Sequence, residues 1–135
     1  MSIFVESDRN AKRIISIVPG DSNKEVEVIG FFLDKKESVF RVTLSLPCAA
    51  MVFKFLQTCR ALQSNSDQEW TNPSGKLKIT FLSQSDNCKF QFAEADDSDN
   101  TITISLTKFM EALQGTLQDI FLRAQIDKWA DEYTE

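Results

Sequence analysis

The side chains that could do chemistry in this 135-residue chain are few, and what is missing narrows the field first. There is no His, which removes the commonest general base near neutral pH and the commonest zinc ligand. Cys48, Cys59 and Cys88 sit among apolar neighbours; a thiol nucleophile needs a base to take its proton, so these read as free thiols packed as small hydrophobes. An odd number of scattered cysteines also makes no disulfide framework. The glycines at 20, 30, 75 and 115 are dispersed, so no phosphate-cradling loop forms. Asp and Glu total 20, yet none stands in an apolar, cleft-like setting that would raise its pKa for acid-base work.

Two features remain as candidate sites. Glu94 to Asp99 is a dense acidic run, and Asp96-Asp97-Ser98-Asp99-Asn100 has the oxygen ligands of a calcium loop without its central Gly or its distal Glu at the twelfth position. It reads either as a solvated hairpin loop or as an anionic surface, with Glu94, Asp96, Asp97 and Asp99 mimicking phosphate charge before a cationic partner. Trp70 lies in the polar interval Gln63 to Gly75, where a large aromatic either folds back on the core or anchors an interface. No catalytic group, metal or cofactor is expected, and an enzyme is the weakest class.

Charge and hydropathy bound the partners. The net charge is -5, which opposes phosphate backbones and suits a basic partner. A 42% apolar fraction with 11 Phe suffices for one packed core, and no apolar run has the length of a membrane span. The opening MSIFVESDRNAKR has acidic residues early and no apolar stretch ending in small residues, so a cytoplasmic protein without a secretory signal is expected.

The elements that must position these residues come twice. Ser38 to Ser45 alternates and runs into a helical apolar pattern, and Asn100 to Thr107 does the same 62 residues later. At that offset Ile15 falls on Leu77, Ile17 on Ile79 and Val28 on Phe90. Ile3 to Val5, Arg13 to Val18, Glu25 to Leu33 and Val39 to Leu46 read as strands. Ser45 is placed to cap a helix whose first turn holds Pro47. Cys48, Met51, Val52, Phe55, Cys59 and Leu62 define one face of that helix, which Phe53 and Leu56 widen. In the second half Lys76 to Leu82, Cys88 to Ala93 and Thr101 to Leu106 form a meander. Thr107 is the expected cap of a second helix striped by Phe109, Leu113, Leu117, Ile120 and Ala124. That helix runs on toward Trp129, which would close over the sheet, or else serve an interface together with Tyr133.

The expected class is α+β, a single domain of two antiparallel sheet-plus-helix units, about 1–63 and 76–135, joined by a linker over 64–75. This ββββα order, repeated over nearly the whole chain, resembles the Whirly and Pur-type folds of single-stranded nucleic-acid-binding proteins. That resemblance implies a sheet offering cations and aromatic platforms. Arg41, Lys35, Lys36, Lys76, Lys78 and Lys89 would have to supply the cations, and Phe31, Phe32, Phe90 and Phe92 the stacking surfaces. In size, acidity and lack of catalytic groups the chain also resembles immunity proteins of bacterial contact-dependent growth inhibition systems. This second resemblance implies a protein that covers the active or substrate-binding surface of a toxin domain, such as a basic nuclease. Immunity is the leading reading and single-strand binding the alternative; a third is an adaptor that oligomerises through the apolar face around Phe53 and Leu56.

Overall fold

A computed structural model describes residues 3–7 (main chain), 12–36, 38–63, 65–93 and 100–133. Among the described residues eight strands and two helices follow one another as ββββα twice: β1 Ile3–Ser7, β2 Arg13–Pro19, β3 Glu25–Phe32, β4 Ser38–Ser45, α1 Leu46–Ala61, then β5 Gln68–Thr71, β6 Leu77–Leu82, β7 Asn87–Phe92, β8 Thr101–Ser105 and α2 Leu106–Tyr133. The strands make two four-stranded antiparallel meanders, β1-β2-β3-β4 and β5-β6-β7-β8. The α+β class and the doubled unit are therefore as the sequence indicates. Among the described residues no helix is long and apolar enough to cross a membrane.

The interval expected to be a linker holds a strand. Gln68 to Thr71 pairs with Phe81 to Lys78 of β6, and the turn between them is fastened by Asn72. Its main-chain N-H donates to the Leu77 carbonyl at 3.0 Å, its Oδ1 accepts from Leu77 N at 3.1 Å, and its Nδ2 donates to Ser74 Oγ at 2.9 Å. Gly75 supplies the left-handed residue, φ 75°, that closes this turn. In β5 only Trp70 faces inward, to half-burial, while Gln68, Glu69 and Thr71 are exposed. A short edge strand with one inward side chain shows no alternation, which is why its composition reads as loop.

The repeat also has a step in it. Val28 and Phe90 are 62 residues apart, but Val42 and Ile102, which pair with them, are 60 apart. The second unit's hairpin is thus two residues shorter, and because strand side chains alternate with period two, the slip leaves every apolar residue facing inward. It moves the helix cap. Ser45 Oγ accepts from Cys48 N at 3.2 Å at the start of α1, as expected. In the second unit the residue that does this is Ser105, accepting from Lys108 N at 3.3 Å, and Thr107 lies inside α2. Thr107 instead donates to Asp86 Oδ1 at 3.0 Å and accepts from Arg60 in the last turn of α1 at 3.2 Å, tying the two helix ends together.

One core serves both units. Ile15, Ile17, Val28, Phe32, Val42 and Leu44 of the first sheet join Leu77, Ile79, Phe90, Phe92, Ile102 and Ile104 of the second, with Val52 and Leu56 of α1 and Phe109, Leu113 and Ile120 of α2. The second helix crosses back to lie against β1 and β2. Phe92 stacks on Phe40 at 5.9 Å and meets Phe32 edge-on at 6.1 Å, so an aromatic cluster joins the sheets. Gly30 makes room for it: a Cβ there would lie 2.5 Å from Phe92 Cε2. Arg13 adds a polar bridge, its Nε and Nη2 forking onto Asp34 at 3.0 to 3.2 Å while Nη1 donates to the Thr101 carbonyl across the sheets at 3.0 Å.

Candidate functional site: the groove between the first helix and the edge strand

Helix α1 spends its apolar residues on two adjoining faces. Ala49, Val52, Leu56 and Cys59 recur at helical spacing and are buried. Met51, Phe55 and Leu62, which the sequence groups with them, lie beside that stripe: Phe55 is half-buried, while Met51 and Leu62 are 55% and 73% exposed. Edge strand β5 flanks this second face. Together Met51, Lys54, Phe55, Thr58, Cys59 and Leu62 of the α1 region and Gln68 and Trp70 of β5 line a groove of about 430 Å³.

Trp70 is the groove's aromatic wall. It sits opposite Ile79 in the ladder and rests on the core with its indole half-covered, so it packs inward and leaves part of the ring exposed. Lys54 is the one charged side chain of the lining. A lining of this composition could hold an apolar segment through contact area.

Of the expected partner-binding residues, Trp70 is the one the structure places; Glu94, Asp96, Asp97 and Asp99 lie outside the described residues. On either side of that segment the described main chain is paired, since Phe92 N donates to the Asn100 carbonyl at 2.9 Å and Ala93 N to the Lys76 carbonyl at 3.0 Å. Lys35 Nζ donates to Asn100 Oδ1 at 3.1 Å.

The thiols are poorly placed for nucleophilic chemistry. Burial pushes the Cys48 thiol up, and Cys88 is pushed well above the thiol range by burial first and the nearby Asp86 carboxylate second. Among the described residues no group of three or more Cys, Asp or Glu converges to hold a metal ion.

The surface that single-strand recognition would need is differently arranged. Phe32, Phe90 and Phe92 are fully or almost fully buried in the core, where they cannot stack on bases, and only Phe31 is half-exposed. Arg41 lies 3.6 Å from Glu27 and Lys78 3.8 Å from Glu69, so carboxylates offset two of the six cations where they stand. Sequence reasoning finds Trp70 but not the groove, because the groove depends on β5 lying beside α1. No family model, curated protein or solved structure matches the chain.

Proposed function

We propose that this chain is a binding protein of the immunity type, which neutralises a toxin domain by docking on it and covering its active or substrate-binding surface. The observation that carries the reading is the apolar groove walled by Trp70: a half-covered indole beside exposed Met51 and Leu62 is the kind of anchor on which protein interfaces concentrate their affinity. The net charge of -5 favours a basic partner, such as a nuclease domain, and speeds encounter with it.

The test is co-expression with the toxin encoded beside the gene, paired with calorimetric titration of the purified proteins. Protection of the cells supports the proposal together with loss of about 30-fold or more in affinity in Trp70→Ala, measured below its lowered melting temperature, and in Leu62→Glu, an exposed groove position whose melting temperature should stay unchanged. Full protection by Trp70→Ala, or no protection by the parent chain, sinks it. Tight binding of a single-stranded oligonucleotide at low salt, with no effect on any toxin, would turn the assignment to nucleic acid.

A further inference from the structure

Helix α2 changes character at Ile120. Upstream, Phe109, Met110, Leu113, Thr116 and Ile120 are buried, and the opposite, outward line carries Lys108, Glu111 and Gln118, all exposed. Beyond Ile120 no residue of the helix is buried. The outward line there turns apolar: Leu122, Ile126, Trp129 and Tyr133, exposed to 52%, 51%, 57% and 89%. Their spacing of four, three and four residues is the seam of a two-helix coil. At about 100° per residue that seam points almost directly away from the buried face. Trp129 therefore does not close over the sheet, where an inward stripe would have put it. The side nearer the body carries Ala124, Asp127, Lys128 and Asp131, which line a shallow opening with Asn23.

We propose that this seam is a homodimer interface on which α2 of a second copy packs antiparallel. Register, charge and area argue for that occupant. In an antiparallel pair, one alignment covers all eight seam residues, setting Leu122 against the partner's Tyr133 and Ile126 against the partner's Trp129. Sliding by one heptad toward the sheets sets Trp129 against the partner's Asp119 and buries that carboxylate. A parallel pair would place Glu111 and Asp119 beside their own copies and bring two bodies of like net charge side by side. The antiparallel pair confines contact to the apolar stretch, keeps the bodies apart and opposes the helix dipoles. The exposed seam amounts to roughly 500 Å² per chain, so two copies cover at most about 1,000 Å², the threshold for a specific interface and the mark of a weak dimer. The contact is isologous and closes on itself, so association stops at two.

Sedimentation equilibrium of the parent chain, Ile126→Glu and Trp129→Glu tests this. Both positions are exposed in the single chain, so circular dichroism of each variant should match the parent. A dimer at tens of micromolar that weakens about 30-fold or more in each variant supports the interface. A parent chain that stays monomeric, or a dimer indifferent to both substitutions, overturns it. Binding of a monomeric parent to phosphatidylcholine vesicles would assign the seam to a lipid surface instead. Orientation is read separately from nitroxides on Gln118→Cys in a Cys48→Ser background. Antiparallel packing puts them about 30 Å apart, whereas a separation near 10 Å would mean parallel packing and reject the register. None of these outcomes involves Trp70 or a toxin, so this interface and the groove can fail independently.

Discussion

Replacing Gly30 by Ala adds one methyl group to a strand, a change that usually stabilises. A glycine in a strand interior costs about 0.5–1 kcal/mol relative to alanine, and the left-handed backbone that would demand glycine is absent here. The neighbour reverses the sign. The new Cβ would lie 2.5 Å from Cε2 and 2.8 Å from Cζ of Phe92, and the ring cannot swing freely because Phe40 stacks on it and Phe32 meets it edge-on. Overpacking of this kind costs about 1–3 kcal/mol. Phe92→Leu removes the two colliding carbons at a cost of about 1–2 kcal/mol; in that background Gly30→Ala should be neutral, or should recover the strand preference. Urea unfolding of the four proteins, with m unchanged, would give a coupling of about 1.5–3 kcal/mol. An equal cost for Gly30→Ala in both backgrounds refutes the close approach of the two sheets.

Thr116 Oγ1 is wholly buried with no hydrogen-bond partner, so Thr116→Val should leave stability unchanged or raise it by up to about 1 kcal/mol, read as a shift in urea midpoint. The Arg13 guanidinium beside Asp34 holds its carboxyl below the usual 3.8. Stability from this pair is then present above that ordinary value and lost as pH falls through the lowered folded one, and Asp34→Asn should flatten that part of the acid limb of a melting-temperature profile. With an aromatic disulfide reagent at pH 8, half-buried Cys48 should react slowly in the native protein, while buried Cys59 and Cys88 react only after denaturation; rapid native reaction of Cys88 would contradict its burial.

What could be read from the letters depended on how much of each element is buried. The inner strands announce themselves in two ways: β2 by its β-branched run around the wholly buried Ile15 and Ile17, and β6 by buried Leu77 and Ile79 alternating with Lys78 and Thr80. Strand β5 does not, since its partner strand and not its own composition makes it a strand. The Thr107 assignment fails by two residues because a slip of one full pleat leaves the hydrophobic pattern unchanged. For the candidate site the sequence supplies Trp70 and the apolar excess of α1, but the division of that excess into a buried and a groove-lining face needs the sheet in place. The outward turn of the α2 seam is hidden for a related reason. Leu122, Ile126, Trp129 and Tyr133 continue a helical apolar pattern, and only the point where α2 leaves the core shows which side it is on.

The contact of α2 with β1 and β2 joins segments from opposite ends of the sequence. A ribosome adding about 5–20 residues per second releases the first sheet several seconds before the helix that covers it. Through that interval the face of Ile15 and Ile17 that α2 covers has only α1 and then the second sheet beside it. Folding must therefore finish as a single late event around the last helix, and a chain stalled short of Phe109 would be a substrate for chaperones rather than half of a working protein.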